Sequence, residues 1–396
     1  MLSSGLPLAS STWDENDLSA AKEVLDSGNI TMGEKVAEFE KRFAQELGSK
    51  YAVMFNSGSS ANLAIMFGLK YSKISSLKPG AEIIVPAVSW STTFYPVCQA
   101  GFKLRFVDID PDSLNLSLEE VVKSINKNTG AILAVNLLGN PANLEELATI
   151  ADSNDLLLIE DNCESLGASI NGKKAGTFGL AGSFSFYFSH HICTMEGGMV
   201  VTDSQEFEEV LKSLRAHGWT RGLRSDNHVY PLSSNPWDDL FRFVLPGFNL
   251  RPVEISGAVG ITQMNKLESL ITARRSNAAK FVELFCNSTS YRIQKEMGKS
   301  SWFGFSIVLK NGLKGRRAEL IDLLSHRGFE TRPIVAGNFL RNPVMKHLDY
   351  IAEGNFSNAD DVHENGFFVG NHHYDIETNL TELHEILMEF SGEVVI

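Results

Sequence analysis

Cysteine is scarce in this chain, and what there is lies scattered. Cys98, Cys163, Cys193 and Cys286 are the four in 396 residues. No C-x-x-C pair occurs among them, so neither a zinc site nor a disulfide framework is signalled, and a reducing cytoplasm suits them. Positive charge is short as well. With 35 Lys and Arg against 48 Asp and Glu, the net charge is -13, which argues against a nucleic-acid or anionic-membrane partner, since both reward a basic face. Small anions are not excluded, because backbone N–H groups at helix starts hold phosphate without adding formal charge. No apolar run reaches membrane-spanning length, and the opening Met1–Ser10 lacks the basic start and long apolar stretch of a signal peptide. These absences predict a cytoplasmic protein with no nucleic-acid, membrane or metal partner. What is present, 43% hydrophobic and 21% charged residues, is the balance of a globular enzyme. The length exceeds one ordinary core and predicts two units.

Between about residues 35 and 215, short apolar runs alternate with helical patterns. Tyr51–Phe55, Glu82–Val85, Leu104–Val107, Ala131–Val135 and Leu156–Ile159 read as strands, and Val36–Leu47, Ala61–Leu69, Leu118–Ile125 and Asn143–Ala151 read as helices. A run such as Leu156-Leu157-Leu158-Ile159 is apolar on both faces, as in a parallel sheet covered by helices. Right-handed crossovers in such a sheet place ligands at the carboxyl ends of the strands. After Pro252 the pattern changes to a long helix over Val253–Phe285, a strand over Phe303–Leu309 and a helix over Arg316–Arg327. The expected fold class is therefore α/β. A large, mostly parallel sheet domain with an N-terminal arm is assigned to residues 1–250, and a connecting helix with a smaller α+β domain to residues 251–396.

Three strand-to-helix turns carry chemistry. Asn56-Ser57-Gly58-Ser59-Ser60-Ala61-Asn62 aims backbone N–H groups and a positive helix end at an anion, through Gly58 and Ser59, although an ordinary N-cap fits the same residues. Trp90 opens a helix after the second strand, where its ring suits either a planar ligand or the core. Asp161 follows the run ending at Glu160, so its carboxylate serves either a ligand at the sheet edge or a helix cap.

One further absence turns these pieces into a reading. Ser183 to Gly198 resembles the lysine-bearing stretch of nucleotide-sugar aminotransferases, with Ser-Phe at its start and Glu-Gly-Gly at its end, but holds histidine where they hold lysine. In that stretch the lysine lies six positions before the glutamate, and six before Glu196 is His190, with His191 second in rank. Gly101–Asp110, Leu137–Ala142, Gly172–Gly176 and Gly247–Pro252 occur in the same order, and the match runs from about residue 20 to beyond residue 260. The chain is thus similar to the fold-type I pyridoxal-phosphate (PLP) enzymes of the nucleotide-sugar aminotransferase and dehydratase family.

The resemblance implies the following. PLP, and its amine form pyridoxamine phosphate (PMP), would be bound without a covalent bond, because the amine that forms one is missing. An imidazole can still move protons at neutral pH, and this points to a dehydratase. Gly58, Ser59 and Ser185 would hold the cofactor phosphate, Trp90 and Glu164 would flank the ring, and Asp161 would keep its nitrogen protonated. Asn249 would reach across a homodimer interface to the neighbouring cofactor phosphate, so that active sites are shared. His217, Arg221 and Arg332 would contact the sugar nucleotide or glutamate. Two dehydratase branches of the family carry histidine for lysine. One acts on GDP-4-keto-6-deoxymannose; the other acts on a CDP sugar and needs an iron–sulfur cluster. Four dispersed cysteines suit no cluster, and Ile30–Lys35 and Glu330–Ile334 resemble the GDP branch, with L-glutamate as amine donor. An aminotransferase, the CDP branch and a non-catalytic sensor of PMP or sugar nucleotides remain open from the residues alone.

Overall fold

The computed structural model describes residues 5–393; Met1 to Ser4 of the N-terminal segment read above lie outside the described residues. Two helices, α1 (Glu15–Ser27) and α2 (Glu34–Leu47), precede the alternating part of the chain. There follow β1 (Tyr51–Phe55), α3 (Gly58–Tyr71), β2 (Glu82–Pro86), α4 (Ser91–Gln99), β3 (Lys103–Val107), α5 (Leu118–Ser124), β4 (Thr129–Val135), α6 (Leu144–Ser153) and β5 (Leu157–Asp161). A two-stranded hairpin, β6 (Ser169–Ile170) with β7 (Lys173–Lys174), leads to β8 (Ala181–Ser185), β9 (Gly198–Thr202), α7 (Gln205–Arg215) and the short α8 (Pro236–Asp239). The long α9 (Glu254–Phe285) then connects to β10 (Tyr291–Ile293), β11 (Gly304–Leu309), α10 (Arg317–His326), β12 (Thr331–Arg332), β13 (Tyr350–Ala352), α11 (Ser357–Asn365), β14 (Gly366–Gly370) and α12 (Glu377–Ser391).

The eight-stranded sheet has the order β1-β9-β8-β5-β4-β2-β3-β13. Only β9 runs against the others, antiparallel to β1 and β8. The fold is α/β, as expected of fold-type I PLP enzymes, with a large, mostly parallel sheet. Central strands are buried along their length because helices cover both faces. One cover comes from α2: Val36, Phe39, Phe43 and Leu47 form an i, i+3, i+4 stripe, and Phe39 and Phe43 meet Phe186 and Phe184 at ring separations of 5.3 and 5.1 Å. The four-stranded sheet β10-β11-β14-β12 is antiparallel throughout and buries Phe305, Ile307, Phe367 and Val369 against Phe281, Phe285, Leu380 and Leu387 of α9 and α12.

A division at residue 250 is crossed in both directions. Late in the chain, β13 returns to pair with β3 at the edge of the large sheet, and Leu6, near the beginning, packs in the core of the smaller one. The N-terminal arm is fastened there by His372. Its Nε2 donates to the Pro7 carbonyl (2.9 Å) and its Nδ1 therefore accepts from the Ser10 hydroxyl (2.8 Å). Burial brings this imidazole down to about 4. The unfolded chain then takes up a proton near pH 6.5 that the folded chain refuses until about pH 4, so this residue's contribution is complete above pH 6.5 and lost as pH falls through that window. Accordingly, His372→Gln is expected to flatten the pH dependence of the melting temperature between pH 7 and 5, relative to the parent, in calorimetric scans. An unchanged slope would contradict it.

Candidate active site at the carboxyl edge of the sheet

The carboxyl ends of β1, β2, β5 and β8 share one edge, and α3 and α4 start there. Asp161 closes β5. Its Oδ2 accepts from Asn62 Nδ2 (2.9 Å) and Thr93 Oγ1 (2.8 Å), and its Oδ1 from the Cys163 N–H (3.2 Å). Ser183 of the adjacent strand donates to Asn62 Oδ1 (2.6 Å). One buried carboxylate thus ties two helix starts to two strands, and no α-helix begins at Asp161 for it to cap.

Helix α3 starts at Gly58, earlier than the expected Ala61, because Ser57 supplies the cap, accepting from the Ser60 N–H (3.1 Å). Gly58 and Ser59 therefore occupy the first turn, where helical N–H groups have no internal partner. Ser59 Oγ donates to Thr92 Oγ1 (3.1 Å), joining this turn to α4. A Cβ on Gly58 would sit 2.5 Å from Ser185 Cβ and 2.9 Å from its Oγ. Helix end and serine hydroxyl therefore converge on one small space, in which anion-binding donors crowd and a side chain does not fit. Gly58→Ala is expected to weaken PLP binding by about tenfold or more, since overpacking costs about 1–3 kcal/mol. The check is absorbance titration with PLP, with Ser59→Ala as a milder comparison. Wild-type affinity in a folded Gly58→Ala protein would refute the cradle.

Trp90 caps α4 and is 58% exposed at this edge. A core role is thereby ruled out, and an uncovered indole is free to lie on a planar ring. Glu164 accepts from the Leu138 N–H (2.8 Å), and burial raises its carboxyl to about 7, with the nearby Asp161 charge adding to the rise.

His190 lies in a turn whose N–H donates to the Tyr187 carbonyl (2.9 Å). Its Nδ1 is 3.2 Å from the Ser185 carbonyl. A carbonyl accepts, so Nδ1 bears the hydrogen and Nε2 keeps a lone pair. Burial depresses the imidazole to about 4, which leaves it neutral at pH 7. Its ring stands edge-on to Phe303, with centroids 5.4 Å apart and an 80° interplanar angle. His191 is fully buried and donates from Nε2 to the Ser301 carbonyl (3.0 Å), so that nitrogen is already engaged.

Hydrogen bonds and ring contacts, together with the close approach of Gly58 to Ser185, connect Gly58, Ser59, Trp90, Asp161, Glu164, Ser185 and His190 into one set. The remaining predicted residues lie outside it. Asn249 is exposed, and its Oδ1 accepts from Arg251 Nε (3.0 Å). The backbone of His217 is left-handed (φ 64°), and its ring lies 5.2 Å from Trp219. Arg221 is exposed beside Trp219, and Arg332 is exposed on the edge strand β12. The sequence reading passed over Asn62, Thr93, Leu138 and Phe303. The hydroxyl-rich start of α4 and a polar residue on an apolar helix were available signals for Thr93 and Asn62; no local signal marks the other two.

This donor set fits PLP: a helix-end cradle for phosphate, an uncovered indole, and a buried carboxylate. Among the described residues, no group of three or more His, Cys, Asp or Glu is placed to hold a metal ion, and no helix is long and apolar enough to cross a membrane.

A family model of the DegT/DnrJ/EryC1/StrS aminotransferases matches residues 11–380. The chain is 51% identical over 383 residues to a GDP-4-keto-6-deoxy-D-mannose 3-dehydratase of Yersinia pseudotuberculosis, an alignment that spans 96% of this chain and 98% of that protein. Among solved structures it is similar to the E. coli GDP-4-keto-6-deoxy-D-mannose-3-dehydratase with bound hydrated PLP (TM-score 0.94, 49% identity, 97% of this chain and 99% of that one). A GDP-4-keto-6-deoxymannose-3-dehydratase with a trapped PLP-glutamate geminal diamine matches equally well (TM-score 0.94, 49% identity, 97% and 100%).

Proposed function

The chain belongs to the DegT/DnrJ/EryC1/StrS aminotransferase family, and from that premise we propose that it is a PLP/PMP-dependent dehydratase acting on GDP-4-keto-6-deoxy-D-mannose. It removes the C3 hydroxyl to give the 4-keto-3,6-dideoxy sugar, releases ammonia, and uses L-glutamate to restore the amine form of a cofactor held without a covalent bond. The observation that carries this reading is a neutral imidazole, His190, with Nδ1–H on the Ser185 carbonyl, in the place where relatives of the family carry an amine.

When bound, the cofactor supplies an amine for the sugar's C4 ketone and a protonated ring that draws electrons from the neighbouring carbon. Asp161 holds the proton on that ring nitrogen. Gly58, Ser59 and Ser185 would hold the phosphate, and Trp90 and Glu164 would flank the ring. His190 Nε2 would take up a proton on the cofactor side and, as an acid, give it to the departing C3 hydroxyl, so one group would serve both half-steps. Asn249 completes the phosphate site of a second copy, which makes the working unit a homodimer with shared sites. His217, Arg221 and Arg332 contact the sugar nucleotide or glutamate. A cytoplasmic location belongs to the same proposal and is supported by four free cysteines.

The test is mass spectrometry of the product formed from GDP-4-keto-6-deoxymannose, PLP and L-glutamate. A sugar nucleotide lighter by one oxygen, with ammonia released in equal amount, is expected. An amino sugar without ammonia would make the protein an aminotransferase, and no turnover would leave it a sensor.

A further inference from the structure

The loop ahead of β11 forms one wall of the site, and its fastening is costly. The Ser301 and Phe303 N–H groups donate to the Gly139 and Leu138 carbonyls (2.9 Å each). Trp302 and Leu138 both adopt left-handed backbone (φ 49° and 53°), a conformation that non-glycine residues hold only when their surroundings impose it. The groups that hold Trp302 and Phe303 in place come from α9 and from the segment after β14. Arg274 Nη1 donates to the Phe303 carbonyl (3.1 Å) and the Asn371 carbonyl (2.7 Å). Asn371 Nδ2 donates to the carbonyls of Trp302 (2.8 Å) and Arg274 (3.0 Å).

Arg274 is 3% exposed, is bridged to no carboxylate among the described residues, and its Nε finds no partner among them. Burial brings its guanidinium down to about 10, so it remains charged at neutrality. A buried cation paired only with carbonyls is a poor source of stability, and an apolar side chain of similar length would avoid the desolvation cost. Its placement makes better sense as part of the site. The carbonyl that it grips belongs to Phe303, whose ring stands 5.4 Å from that of His190. Groups facing His190 are Asp161 and Cys163 from the end of β5, Tyr187 and His191 from its own segment, and Arg274 from α9. Arg274 is the permanent cation in this set.

We propose that Arg274 is a positioning residue for His190: by holding the Phe303 carbonyl it sets the ring that fixes the imidazole plane. This rests on the reading of His190 as the proton carrier.

The experiment uses the full-length chain with 15N-labelled histidine and no added cofactor, and assigns His190 by loss of its signal in His190→Gln. In the parent, His190 should show the Nδ1–H form and titrate below 6.5. Arg274→Met should move that titration up by a small part of its depression, since burial is the larger cause, and mix the two tautomers. Arg274→Lys keeps the charge but loses the fork, so it should mix the tautomers with a smaller titration shift. Phe303→Ala should mix them with Arg274 intact. In all three, kcat should fall about 10- to 100-fold with little change in KM for the sugar nucleotide, as expected of a misaligned proton carrier. Should Arg274→Met fail to fold, the other two variants carry the test. Parent-like tautomer and titration in folded variants would overturn the proposal. Retained turnover in His190→Asn would instead remove the functional reading and leave the Arg274 coupling standing.

Discussion

His190→Asn is expected to lower turnover by about 10²–10⁴-fold, the range set by losing a positioned general acid–base group, while PLP binding changes little. An asparagine amide can replace the Nδ1–H bond to the Ser185 carbonyl, but it has no lone pair basic enough to accept a proton. The other residues proposed to anchor the cofactor, Gly58, Ser185 and Asp161, are untouched. Absorbance titration with PLP and single-turnover kinetics separate the two effects. The companion variant His190→Lys restores an amine at the same position. Borohydride, expected to leave the parent protein unmodified, should then fix the cofactor to the chain, with deoxygenation abolished. A covalent adduct in the parent, or turnover in the lysine variant, would contradict the assignment of His190.

How far the site was legible in the sequence depends on how local each signal is. Asp161 could be placed because it ends a strand in a βαβ rhythm, and strands that share a direction share a carboxyl edge, whereas Ser185 is reached only through the family resemblance of its segment. The choice of His190 over His191 rests on spacing, and the two differ in burial rather than in hydrogen bonding: each gives one ring nitrogen to a carbonyl, but His191 is fully buried whereas His190 is partly exposed at the edge of the sheet. The start of α3 was read three residues late because Gly58, Ser59 and Ser60 carry no apolar period, although Ser57 is a sound cap. The reversal of β9 and the return of β13 to β3 left no local trace, since pairing between distant strands is decided by assembly. For the same reason Phe303 and Arg274 were invisible: their contacts with the site span the two halves of the chain.

Asp161→Asn is expected to weaken PLP binding by on the order of 10- to 100-fold, the equivalent of the 1.5–3 kcal/mol that a charge-assisted hydrogen bond contributes, and to lower turnover further. Three donors converge on this carboxylate, from Asn62, Thr93 and Cys163. An amide offers one oxygen and one NH2, so whichever way it turns, a donor must face a donor: Asn62 and Thr93 in one orientation, the Cys163 N–H in the other. The substitution therefore disturbs the positions of α3 and α4 as well as the charge. Thr93→Val separates these effects, because it removes one donor and keeps the charge. If proton retention on the ring nitrogen is the main role of Asp161, Thr93→Val should lose less than about tenfold in affinity, whereas Asp161→Asn should also lose turnover at saturating cofactor. Equal losses in both variants would make Asp161 a brace for the two helix starts, and its electronic role would have to be abandoned.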